Sequence, residues 1–388
     1  MPILALVVVA CLGYAIYLLL RAHEADVAVR RANAMLQEAR GPSFEGTAQL
    51  LANCCAECER VLAGHPRHVL AWHVWGAALW CLGRSSPPDK ADLVFAEAED
   101  KFSHALEIWP DNVKLTLDLC WVLWDRADLH PGNGGLRHLM RICDESQRVL
   151  ARKPGEPRLL NFWASALCCI GTRTSPGEAE GIFASAENRF KEVLAITPND
   201  HDAMSSLANV LCRRARLHQG DVARAMVVEA GEWLDKALEL KPGDPRALSM
   251  WAWVLYARTK VMPCEETSRM LADAAQRFAA AGSENAGFMR QALGVLLWAR
   301  SRCAQGPEIR RLLADAKAEL LEAELHDSES AAYNLACVCA QLGEAAACRK
   351  WLEKSREPGI LVSCEQMASE EELAAVRDCD WFRKLVGD

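Results

Sequence analysis

The densest group of chemically able side chains is "NCCAEC", which holds Cys54, Cys55 and Cys58. A Cys-x-x-Cys pair can serve as a redox dithiol or as half of a zinc site, but zinc needs a second pair or histidines at matching spacing. None accompanies it. Cys54 and Cys58 are one helical turn apart and share a face, where a free thiol packs as a small hydrophobe. Cys120, Cys337, Cys339 and Cys348 fall in similar apolar surroundings. In "HPRHVLAWH", His65 sits beside Pro66 and His73 on the segment after it, so His65, His68 and His73 share no face for a metal. "HPGNGGL" at 130–136 lacks the Lys-Ser/Thr and the preceding strand of a phosphate loop, and is a turn. "EDKFSHALE" and "SEEEL" are charged helical surface. These residues predict no catalytic set, no metal and no cofactor, so a non-enzyme is expected. Thiol redox or metal chemistry at Cys54–Cys58 remains as an alternative.

The elements that carry these residues show in the composition and periodicity. The chain has 388 residues, 51% hydrophobic and 25% charged, enough to bury a large core. Its net charge of -8 offers no basic stripe for a nucleic acid. The odd count of 17 cysteines in a long apolar chain argues against a disulfide framework and for a reducing compartment.

The start, "MPILALVVVACLGYAIYLLLRAHE", has an uncharged run from Pro2 to Leu20. At about 1.5 Å per residue this matches a bilayer core of about 30 Å. No basic residue precedes the run, as it would in a cleaved signal peptide, and Arg21, Arg30, Arg31 and Arg40 follow it. A retained single-pass anchor over 1–22 is predicted, then a juxtamembrane helix or linker over 23–44. A cleaved or lipidated segment is the alternative, since "VVAC" at 8–11 loosely resembles a lipobox. By the positive-inside rule the remainder faces the cytoplasm.

Pro66, Pro110, Pro154, Pro198 and Pro242 are 44 residues apart. Before each runs an apolar stripe at helical spacing, as in "FAEAEDKFSHALEIWP" and "FASAENRFKEVLAITP", and after each comes a short turn and a second stripe. Proline ends the first stripe because it lacks an N–H and restricts the residue before it. Asp111, Asp200 and Asp244 are the expected N-caps of the next helix. Each unit is thus a helical hairpin, and stacked hairpins share a continuous core.

This pattern resembles the tetratricopeptide repeat (TPR) family, through Trp72, Trp75, Gly76 and Leu79 in the first helix and Ala98, Phe102, Ala105 and Pro110 in its partner. Down the chain the small packing position reads Cys54, Ala98, Ile142, Ala186 and Ala230, and the large one Cys58, Phe102, Ser146, Phe190 and Leu234. The third repeat departs furthest and is expected to be locally irregular. The usual TPR period is 34, so these units are lengthened between their helices. The resemblance implies an all-α fold, an α-solenoid of antiparallel hairpins forming a curved superhelix over 45–328. A C-terminal hairpin and closing helices follow over 329–388.

The resemblance also implies a groove lined by the first helices. By register it holds His73, Trp80, Lys114, Trp121, Trp124, Arg158, Asn161, Asn209, Arg213, Arg246, Trp253 and Tyr256, with Trp75, Trp163 and Trp251 at a buried position instead. Arg, Asn and Trp suit a peptide partner, especially one bearing carboxylates. The expected function is a membrane-tethered scaffold or adaptor binding proteins or peptides and no nucleic acid. The alternative is a receptor or assembly factor for exported or imported proteins across the membrane.

Overall fold

The computed structural model describes residues 2–40, 46–130, 133–280, 286–326, 331–355 and 364–387, with side chains from residue 20 onward except at 133, 176, 279–280, 286, 288 and 365–366. Among the described residues every regular element is helical. They form two compact units, Met1–Leu129 with Asp144–Leu159, and His130–Cys143 with Leu160–Asp388.

In the first unit, α1 spans Pro2–Ala39, and α2 (Thr47–Gly64), α3 (Val69–Arg84), α4 (Pro88–Ile108) and α5 (Val113–Leu129) follow. Helix α6 (Asn133–Leu150) and helix α7 (Pro157–Gly171) each begin in one unit and end in the other. The second unit continues with α8 (Pro176–Ile196), α9 (His201–Ala215), α10 (Gly220–Leu240), α11 (Pro245–Val261), α12 (Cys264–Ala280) and α13 (Ala286–Cys303). It ends with α14 (Pro307–Leu325), α15 (Ala331–Gln341), α16 (Ala345–Ser355), α17 (Cys364–Ser369), a 3₁₀ turn over Glu371–Val376 and α18 (Asp380–Val386).

The first helices α3, α5, α7, α9 and α11 start at Val69, Val113, Pro157, His201 and Pro245, so the proline spacing of 44 is also the spacing of the hairpins. Both packing positions are buried throughout: Cys54, Ala98, Ile142, Ala186 and Ala230, and Cys58, Phe102, Ser146, Phe190 and Leu234. The third repeat keeps a continuous helix despite its departures. Their cost appears in Ser146, whose buried hydroxyl has no partner among the described residues.

Several contacts recur at twice that spacing. Phe95 of α4 lies against Gly83 of α3 and Phe183 of α8 against Gly171 of α7, where an added Cβ would sit 2.5 and 2.7 Å from the ring. Lys101 stands 4.6 Å over the Trp75 ring, Arg189 4.6 Å over Trp163 and Arg277 5.0 Å over Trp251. Arg126 pairs with Asp92 at 2.9 Å and Glu99 at 2.5 Å, as Arg214 pairs with Glu180 and Glu187. Trp251 is buried as expected, but Trp75 and Trp163 are only half-buried. Their ring faces pack under a cation, a cation–π contact that keeps one edge wet.

The N-caps follow the same spacing with one correction. Asp200 accepts from the Ala203 N–H at 3.0 Å and Asp244 from Ala247 at 3.0 Å. On α5 the cap is Asn112, which accepts from Leu115 at 3.1 Å, while Asp111 pairs with Arg152 instead. His68 caps α3 through Nδ1. Positions 68, 112, 200 and 244 are in register and 111 is one residue early. Asn112→Ala is therefore expected to cost about 1 kcal/mol in thermal unfolding, and Asp111→Ala less than half of that, because its ion pair is surface-exposed.

The predicted membrane anchor at 1–22 lies largely outside the described side chains. Among the described residues no helix is long and apolar enough to cross a membrane. The later part of α1 is part of the fold: Ala25, Val29, Ala32 and Leu36 are buried. Cys54 donates its thiol to the Ala32 carbonyl at 3.2 Å, and His68 meets Asp26 at 3.0 Å. Residues 23–39 are thus a packed helix continuous with what precedes them, where a linker was one expectation.

Candidate functional site

In the first unit the adjoining first helices α3 and α5 exchange polar contacts one repeat apart. His73 Nε2 lies 2.6 Å from Asp118, and the Trp80 indole N–H donates to Asp125 at 2.7 Å. Trp80 stacks near Trp121 with centroids 6.5 Å apart, and the Arg84 guanidinium stands 5.7 Å from the Trp80 ring. Trp121 remains 40% exposed. The structure thus brings His73, Trp80 and Trp121 onto one face with two aspartates that the sequence reading did not name. Lys114 and Arg158 are exposed at the starts of α5 and α7, and Trp124 is half-buried.

In the second unit Arg213 donates to Asn209 at 3.0 Å, and Asn161 is half-buried. Arg246 is exposed at the start of α11. Trp253 meets Tyr256 edge-on at 6.0 Å, and Tyr256 packs on Trp298 of α13 at 4.5 Å. Tyr256 is buried, which departs from an open groove. Its cover is the chain's own acidic segment.

That segment is "SEEEL", Ser369–Leu373, read from sequence as ordinary charged surface. Instead, three cations at the C-terminal ends of three first helices converge on it. Lys260 of α11 lies 3.0 Å from both Glu370 and Glu372, Arg302 of α13 lies 3.0 Å from Glu372 and 3.4 Å from Glu371, and Arg216 after α9 lies 3.2 Å from Glu370. The Tyr256 hydroxyl donates to Glu372, and the Tyr333 hydroxyl reaches Glu370 at 3.5 Å. The Glu372 side chain is 0% exposed. A cation in a helix's last turn also complements the helix dipole, so each of these positions is doubly favourable.

The two carboxyls titrate apart. Burial pushes Glu370 up, and the hydrogen bond and negative charge of Glu372 push it the same way, against Lys260 and Arg216. Burial also acts on Glu372, but it is outweighed by the hydrogen bond with Glu370, the Lys260 charge and the Tyr256 hydroxyl, which hold Glu372 down at about 2. Glu372 is the anchoring anion and Glu370 the strained partner.

The cysteine cluster packs. Cys54 and Cys58 are buried and share a thiol–thiol hydrogen bond that pushes Cys58 up and Cys54 down, with burial pushing both up. Burial, helped by the neighbouring Cys54 and Glu97, pushes Cys55 up to about 12. His65, His68 and His73 share no partner, and among the described residues no group of three His, Cys, Asp or Glu could hold a metal ion.

Arg216, Lys260 and Arg302 were missed because the positions carried over as groove-lining stop just short of the ends of the first helices, where these three lie. A signal was available: Arg216 and Lys260 are one repeat apart, and Arg302 closes the next first helix. Asp118 and Asp125 were missed because acids do not stand out as peptide anchors.

No family model matches the chain, and no curated protein does. Solved structures do. YrrB, described as a TPR protein with an unusual peptide-binding site, is 19% identical with a TM-score of 0.36, over 52% of this chain and 87% of its own. PilW, a type IV pilus biogenesis factor, is 17% identical with a TM-score of 0.43, over 73% of this chain and 98% of its own. Human IFIT1, solved as a dimer with PPP-AAAA, is 12% identical with a TM-score of 0.38, over 79% of this chain and 68% of its own. At these scores they are similar helical proteins, and the case for a stacked-hairpin fold rests on the repeat contacts described above.

Proposed function

We propose that this chain is a membrane-tethered scaffold that binds segments of other proteins on the first-helix face of each of its two units. One observation carries the reading: in the second unit this face already holds a short acidic stretch of polypeptide through Arg216, Lys260, Arg302 and Tyr256. A face that holds one acidic segment by side-chain contacts has the chemistry to hold another. The half-exposed Trp121 beside Trp80 in the first unit supplies the aromatic surface typical of interface anchors.

The uncharged run Pro2–Leu20 and the arginines after it support a single-pass anchor with the repeats facing the cytoplasm. The odd count of 17 cysteines in a long apolar chain supports a reducing compartment. Because α1 runs without a break into a packed helix, such an anchor would confine the first unit close to the bilayer surface. Confinement raises the effective concentration of the scaffold for partners at the same membrane. No catalytic role is part of this reading.

Affinity capture from solubilised membranes with the full chain tests it against a Trp121→Ala, Arg213→Ala double variant. Partners retained by the wild type should fall about ten-fold in the variant, as truncating aromatic and arginine anchors does. Equal recovery by both proteins removes the face from the proposal.

A further inference from the structure

Resting on the scaffold reading, we infer that the cleft formed by Arg216, Lys260, Arg302 and Tyr256 is a binding site for acidic segments with glutamates two residues apart, and that the chain's own Glu370-x-Glu372 occupies it in cis as a displaceable internal ligand.

The geometry is that of a ligand clamp. Each cation comes from a different hairpin, and all three meet on the glutamates of one short segment. Glu372, the fully enclosed member, receives Lys260, Arg302 and the Tyr256 hydroxyl from two neighbouring first helices. The stretch that carries it is one 3₁₀ turn, Glu371–Val376, whose buried residues are Glu372, Leu373 and Val376. A carboxylate thus enters first, with two apolar contacts behind it, which is the pattern of a short linear motif.

The internal fit is also imperfect. The two buried carboxylates press on each other, and the side chains of Arg216 and Lys260 keep 60% and 30% of their exposure. Two acids enclosed side by side carry a desolvation cost that the ion pairs of Glu370 with Lys260 and Arg216 must offset. An incoming segment could make the same contacts from solution, and the affinity it shows is lowered by the fraction of molecules whose cleft is filled in cis.

The test uses the full chain in detergent and a fluorescein-labelled peptide, Ala-Ser-Glu-Glu-Glu-Leu-Ala-Ala-Val, copied from residues 368–376. Binding is read by fluorescence anisotropy. Glu372→Lys, which places a cation against Lys260 and Arg302, should release the segment and bind the peptide about ten-fold more tightly than the wild type. Glu372→Gln is run beside it, so that failure of the lysine variant to fold does not end the test. Glu370→Gln should behave as the wild type, because Glu372 remains to hold the cleft closed. Adding Lys260→Ala and Arg302→Ala to Glu372→Gln should abolish binding, as should glutamines in place of the first and third glutamates of the peptide. The inference is overturned if both Glu372 variants keep wild-type helicity and bind no better than the wild type. It is also overturned if the glutamine peptide binds equally, or if the freed segment pairs two copies into a swapped dimer that excludes the peptide. Capture through Trp121 can succeed while this test fails, so the scaffold reading and the cleft are judged separately.

Discussion

Phe102→Ala is expected to destabilise the first unit by about 3–5 kcal/mol, the range for removing a fully enclosed aromatic ring from a core. Phe102 is 0% exposed, and its ring lies 3.1 Å from where a Cβ on Gly76 would stand. The glycine cannot refill the space, so little of the cavity can collapse. Phe190 holds the same position two hairpins later in the second unit and is equally enclosed. Phe190→Ala should therefore cost a similar amount there. Each hairpin contacts mainly its neighbours, so the loss should be local. Hydrogen exchange during urea titration checks this: protection should fall first in the unit that carries the substitution. Uniform loss along the whole chain would contradict a core built from local hairpin contacts.

The Lys260→Ala, Arg302→Ala double variant is expected to weaken docking of residues 370–376 by about 3–5 kcal/mol, the scale for leaving a buried charge without its partners. The sign follows from Glu372. Its folded value is held down at about 2 from an ordinary 4.5, so its charge stabilises docking above 4.5, and that contribution is lost as pH falls through about 2. Without the two cations, only the hydrogen bonds with Glu370 and Tyr256 oppose burial and the carboxyl shifts upward, so near neutral pH the segment is held less firmly or takes up a proton. Limited proteolysis should then cut near Glu371 in the variant at neutral pH and spare the wild type. Acidifying the variant toward pH 5 should restore part of the protection. A variant as resistant as the wild type would show that the carboxylate contacts do not hold the segment.

The repeat architecture was legible because a proline that stops one helix and an apolar stripe that needs a partner both act locally. Ala98, Phe102, Ala186 and Phe190 could be assigned from spacing alone, since a helix puts residues three and four apart on one face. The cap on α5 was misplaced at Asp111 because an aspartate is as good a cap as an asparagine. Only the repeat register, which sets Asn112 level with Asp200 and Asp244, tells them apart. Trp75 and Trp163 were expected to be buried but are half-covered, with Lys101 and Arg189 over their rings. A residue scale carries no information about a cation arriving from the neighbouring helix.

Sequence by itself determined the helical hairpins, their spacing of 44, the packing positions within each, and the uncharged run at the start. All of these follow from interactions within a few turns of chain, where spacing is geometry. Tertiary structure alone decided that His73 and Trp80 would meet Asp118 and Asp125, and that Glu370 and Glu372 would meet cations from three hairpins, Arg216 being 154 residues away from Glu370. Such pairs depend on which helix ends the stacking brings together, and a charged residue in isolation looks the same whether it will be solvated or enclosed.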